Sequence, residues 1–135
     1  MGYSCAFSLS FLLVGTVVLS ACGSSNSSTP SDSGTVSGLT CPKGGAPVAT
    51  TSVTVADFRF TPDCIVVSAG STVTWTNTGM PIHTVTSDTG ALVSFDSGPL
   101  GSGGTFPFTF ASPGTVNYHC IPHQSQGMVG TVIVQ

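Results

Sequence analysis

In several segments after residue 46 apolar side chains recur at every second position, and few folds accommodate that period. Val53 and Val55 share a face of one extended segment, Val73 and Trp75 of another, and Phe106, Phe108 and Phe110 of a third. Phe58 and Phe60 repeat the same period. Cys64 to Val67 is a short unbroken apolar run, and His83 to Thr86 reads as a further short strand. Val116 to Cys120 enters a last loop, and Met128 to Val134 closes the chain. Turn signals such as Ala69-Gly70 and Ser112-Pro113-Gly114 separate these segments, and the Gly- and Ser-rich stretch Asp96 to Gly104 reads as a surface excursion. Seven or eight short strands between residues 46 and 135 predict an all-β, antiparallel β-sandwich. The charge content argues the same way. Two basic and five acidic residues, with no Glu, leave little material for long amphipathic helices. A net charge of −3 with so few cations also excludes nucleic acid as a partner.

The first 45 residues have a different character. Ala6 to Leu19 is mainly apolar but short for a membrane span, and it fits the apolar core of an export signal. It ends in Leu19-Ser20-Ala21-Cys22, which resembles a bacterial lipobox. The resemblance implies cleavage after residue 21, lipid attachment at Cys22, and a domain held on the outer side of a bacterial membrane. Met1 to Cys5 lacks the Lys or Arg usual at the start of such a signal. Residues 23–40 are almost wholly Ser, Thr, Gly, Asn, Pro and Asp, a composition that cannot bury a core. The expected organisation is a signal over 1–21, a lipidated Cys22 and tether over 22–45, and a folded domain over 46–135. A flexible stretch as long as residues 23–40 reaches roughly 20–25 Å.

Five cysteines are present. Cys5 is discarded with the signal and Cys22 takes the lipid. In an exported domain Cys41 and Cys64 are expected to form a structural disulfide, the alternatives being free thiols or a bridge between chains. Cys120 stands in a different context.

Cys120 opens the run Cys120-Ile121-Pro122-His123-Gln124-Ser125-Gln126-Gly127-Met128, spaced C-x2-H-x4-M. A second imidazole, His83, lies far upstream. Two His, one Cys and a weak axial Met form the donor set of an electron-transfer copper site, because thiolate suits Cu(I) while imidazole serves both oxidation states. One copper per chain is the expected cofactor, with His83, Cys120, His123 and Met128 as ligands. Pro122 stiffens the loop and Gly127 lets the chain turn back over the metal. Taken singly, Cys120 and Met128 could be core filler; the spacing is what carries the expectation. His119 adjoins Cys120 on a strand, faces the other way, and reads as structural.

The run Tyr118 to Val132 resembles the C-terminal copper loop of plastocyanin, and the wider domain resembles the plastocyanin/amicyanin family of cupredoxins. Phe58-Arg59-Phe60-Thr61-Pro62, Gly70 to Asn77 and Phe95-Asp96-Ser97-Gly98 fit the same pattern. The resemblance implies a Greek-key sandwich, the four ligands named above and one-electron transfer. It also implies an exit through the ring edge of His123, which in that family reaches the surface. Where plastocyanin has Asn after its first His, this chain has Thr84, and such neighbours tune a metal site.

A membrane-tethered, monomeric electron carrier is therefore the leading expectation. Its redox donor and acceptor would dock on an apolar face made by Met80, Pro81, Ile82, Ile121 and Pro122 around His123. Copper buffering or delivery in the cell envelope is the alternative. The lack of Met- or His-rich tracts argues against delivery. An enzyme is not expected: multicopper chemistry needs further sites, and only His119 would remain to build them.

Overall fold

The computed structural model describes residues 39–135; the predicted signal, Cys22 and most of the tether lie outside the described residues. Among the described residues nine strands form two sheets. The five-stranded sheet has the order β1-β4-β9-β8-β6 and the four-stranded sheet β3-β2-β5-β7. The first contains β1 (Val48–Ala49), β4 (Cys64–Val67), β6 (Thr86–Ser87), β8 (Gly114–His119) and β9 (Val129–Val134). The second contains β2 (Ser52–Ala56), β3 (Arg59–Thr61), β5 (Ser71–Asn77) and β7 (Thr105–Phe110). The β-sandwich expectation holds, but the sheets are mixed rather than wholly antiparallel: β1–β4, β4–β9 and β2–β5 pair in parallel. The chain passes between layers after β1 and after each of β3 to β7, so sheet neighbours are seldom consecutive and their directions are free to agree.

The period-two positions face the interior. Val53, Val55, Val73 and Trp75 from one sheet meet Ile65, Val67, Val116, Tyr118, Val132 and Val134 from the other. Tyr118 pairs with Gly130 across β8 and β9, and a Cβ at Gly130 would run into its ring. The glycine thus makes room for a wholly buried tyrosine. Burial pushes the Tyr118 phenol far above its ordinary range, so it stays neutral.

β4 is buried along its whole length, which explains its unbroken apolar run. Its outward face meets the start of the described chain. Cys41 and Cys64 are joined by a disulfide, and with Val66 and Ile133 they form a second apolar cluster flanked by Leu39 and Ala49. Residues assigned to the end of the tether therefore pack against the sheet.

Two expected strands differ. His83 to Thr86 is mostly irregular: His83 makes an isolated bridge with Leu100, and β6 begins only at Thr86. Phe58 is not in phase with Phe60. Asp57 and Phe58 take positive φ values of 48° and 60° in the tight turn joining β2 to β3. Right-handed strand twist favours that turn conformation despite the absence of glycine.

Candidate metal centre

β8 delivers Cys120 to one end of the sandwich and β9 leaves from Met128. Between them Ile121–Gln126 winds as a 3-10 turn with Pro122 in its first turn, ended by Gly127 in the left-handed region at φ 82°. Gly127 thus performs the reversal expected of it. The base of the loop is closed by Cys120 N–H donating to Met128 C=O at 3.1 Å, and Met128 N–H donating to His123 C=O at 3.3 Å. Met128 is wholly buried. His83 arrives from the irregular segment before β6, clamped by two backbone hydrogen bonds with Leu100 of 3.1 and 2.8 Å.

Three donor atoms converge. Cys120 Sγ lies 3.3 Å from His123 Nδ1 and 3.6 Å from His83 Nδ1, and the two Nδ1 atoms are 3.1 Å apart. Metal–nitrogen and metal–sulfur bonds of about 2.0–2.3 Å span a donor triangle of this size. The set is one cysteine sulfur and two imidazoles, both presenting the same nitrogen, and it fits a single soft-to-borderline ion. Burial first, and then the neighbouring His123, hold the His83 imidazole below its ordinary pKa, with Asp57 opposing them. A neutral imidazole keeps its lone pair for a metal. His119 takes no part: its Nδ1 lies 2.6 Å from Asp88 Oδ1, on the other side of the strand.

The sulfur also accepts a hydrogen bond from Thr84 N–H at 3.3 Å. The Thr84 hydroxyl accepts from Ile121 N–H at 2.8 Å, and its oxygen is 3.1 Å from that of Thr86, which donates to Asp96 at 3.0 Å. Thr84 thus ties the His83 segment to the Cys120 loop at two points, through its own N–H and its hydroxyl.

Two contributors lie in matched motifs whose pattern assigns them no part in the site. Asn77 is wholly buried and fully bonded, donating to Leu100 C=O at 2.8 Å and Pro81 C=O at 2.9 Å while accepting from Gly79 N–H. It braces both segments that hold His83. The available signal is its phase: Val73, Trp75 and Asn77 all face inward on β5, and an amide on that face needs partners. Phe58 packs edge-on to the His123 ring at 4.7 Å and to His83 at 6.2 Å. Only a turn with two positive φ values brings it there.

Residues 47–135 match the family described as copper binding proteins, plastocyanin/azurin family. The chain belongs to that family. Among its relatives, amicyanin-alpha of Methylorubrum extorquens is 40% identical over 92 residues, covering 67% of this chain and 76% of the relative. Halocyanin of Natronomonas pharaonis is 42% identical over 80 residues, covering 58% of this chain but only 49% of the relative. The chloroplastic plastocyanin of Tetradesmus obliquus is 36% identical, covering 56% and 58%. The fold is similar to oxidised plastocyanin of Dryopteris crassirhizoma, with a TM-score of 0.56 and 32% identity over 62% of this chain and 99% of that one. It is also similar to a purple cupredoxin from Nitrosopumilus maritimus, with a TM-score of 0.56 and 27% identity over 62% and 98%. The family match and these relatives mark a copper protein rather than an enzyme. In this cupredoxin the converging donors stand at the end of the sandwich where β8 runs into β9.

Proposed function

We propose that this cupredoxin carries single electrons through one copper ion held by His83, Cys120 and His123, with Met128 as the weak fourth ligand. The convergence of one sulfur and two Nδ1 atoms within 3.6 Å of one another carries the reading. The bound ion supplies a one-electron couple, cupric to cuprous. The protein supplies rigidity. Asn77, Leu100 and Thr84 hold the His83 side, the 3-10 turn holds the His123 side, and a site fixed from two places rearranges little when its charge changes. The Thr84 N–H bond withdraws charge from the sulfur and so bears on the reduction potential.

Electrons enter and leave by His123, the partly exposed member of the three. Met80, Ile82 and Ile121 are exposed hydrophobics on the adjoining segments, and Phe58 joins them against the His123 ring. That apolar rim is the docking face for the redox donor and acceptor, and their association depends weakly on salt. Such contacts are small and brief, as turnover of a shuttle requires. Lipid on Cys22 tethers the domain at a membrane surface, which keeps it near membrane-bound partners.

Copper titration of the purified protein, with visible and EPR spectra and voltammetry, tests this. One copper per chain, intense sulfur-to-copper absorption and reversible one-electron reduction are expected. Copper bound without that absorption, or cycling irreversibly, would favour copper buffering instead. Folded protein that binds no copper would end the ligand assignment.

A further inference from the structure

We infer that Lys43 is a positioning residue for the Met128 side of the copper loop, held there by the Cys41–Cys64 disulfide. The inference rests on the proposed ligand role of Met128. Lys43 is one of only two basic residues in the chain. It reaches across to the copper loop, where its Nζ lies 3.3 Å from Gly127 C=O and 3.5 Å from Val129 C=O. Those carbonyls bracket Met128. Gly127 C=O also accepts from Val129 N–H at 2.9 Å, closing a three-residue turn with Met128 at its apex. Nζ thus bridges the two carbonyls on either side of Met128 by donating to both.

Lys43 is itself anchored. It sits in a tight turn closed by Cys41 N–H donating to Gly45 C=O and Gly44 N–H donating to Cys41 C=O. The disulfide pins the base of this turn to β4. Asp63, beside Cys64, lies 3.5 Å from Nζ, and its carbonyl accepts from Thr131 N–H of β9. The Lys43–Asp63 pair is half exposed and contributes little stability by itself. Its consequence is positional: a segment preceding the sandwich is strapped across the end of the copper loop.

Lys43→Met keeps the aliphatic stem and removes the charge. In metal-free full-length protein it raises the hydrogen-exchange rate of Val129 N–H severalfold. In copper-loaded protein it alters the visible and EPR spectra and shifts the midpoint potential by an amount that persists at high salt. A through-space charge effect at an exposed site would instead be screened and leave the spectra unchanged. Cys41→Ser/Cys64→Ser reproduces the same changes, and adding Lys43→Met to it changes nothing further, because both act through one strap. Additive effects would overturn the coupling to the disulfide. Met128→Leu separates the two readings. If it changes the spectra while Lys43→Met does not, the ligand stands and the strap falls. If Met128→Leu is silent, the ligand assignment fails and the strap's bearing on copper fails with it. Lys43→Met alone decides the strap, since it leaves the disulfide and the core untouched.

Discussion

Trp75 is surrounded by Phe95, Phe106, Phe110 and Tyr118 at ring-centroid distances of 5.4–6.3 Å, whereas His83 is fixed by two backbone hydrogen bonds with Leu100. The two regions belong to one small sandwich but are held by different physics. The aromatic interior is held by apolar area removed from water, an interaction without direction that tolerates small shifts. The ligand end is held by directed bonds from Asn77, Leu100 and Thr84, in which a small displacement loses the bond. Stability should therefore be concentrated in the first region and function in the second.

The strongest test of that division exchanges the two losses. Trp75→Ala should cost about 3–5 kcal/mol of stability, as large-to-small changes in a packed core do. Protein that stays folded should keep its copper absorption. Cys120→Ser should abolish that absorption while changing metal-free stability by far less. Thermal unfolding and visible spectra of both variants check this. A Trp75→Ala protein that is folded but colourless would show that the interior also sets the donor geometry.

Thr84→Val sharpens the comparison at the ligand end. The change conserves shape but removes the hydroxyl that accepts from Ile121 N–H, leaving that donor without its partner. A cost of about 0.5–1.5 kcal/mol follows from losing a part-buried hydrogen bond whose donor sits on an exposed residue. The midpoint potential should move as well, because the Cys120 loop loses one of its ties to the His83 segment. Unfolding and voltammetry on the same preparation measure both. A stability loss with an unmoved potential would leave Thr84 a structural residue only.

The same contrast explains what was legible in the sequence. Val53, Val73, Trp75 and Phe110 announce themselves by alternation, because burial on one face of a strand imposes a period of two. Cys120, His123 and Met128 are legible for a different reason: one loop supplies all three, so chemistry and spacing appear together. His83 is legible as a ligand, but the strand expected around it does not form, because its backbone bonds come from Leu100, distant in sequence. Phe58 misleads for the same kind of reason. Its period matches Phe60, but the turn at Asp57-Phe58 rotates it out of the core and onto His123. The parallel pairings have no local signal at all, since they follow from the order in which strands cross between layers.

A pH series probes the ligand end without mutation. In the metal-free fold His83 has a pKa below its ordinary 6.5, chiefly from burial. Between the folded value and 6.5 the unfolded chain therefore binds more protons than the folded one. The His83 contribution to stability is fully present above about pH 6.5 and is lost as pH falls through that window. His83→Gln should flatten this part of the melting-temperature profile. An unchanged slope in the variant would assign the pH dependence to another group.

The smallest effect on the fold is expected from the apolar rim, where the functional consequence is nonetheless clear. Met80 and Ile82 are 87% and 60% exposed, so replacing both with Ser should change stability by no more than about 0.5 kcal/mol. Copper spectra and potential should stay unchanged, because neither residue supplies a donor. Electron exchange with a protein partner should slow, while exchange with a small inorganic oxidant should not, since only the partner needs the apolar contact. The slowing should be nearly independent of ionic strength. Equal slowing with both oxidants would place the fault at the donors; no slowing with the partner would move the docking face elsewhere, with the exposed Phe58 and Ile121 the next residues to change.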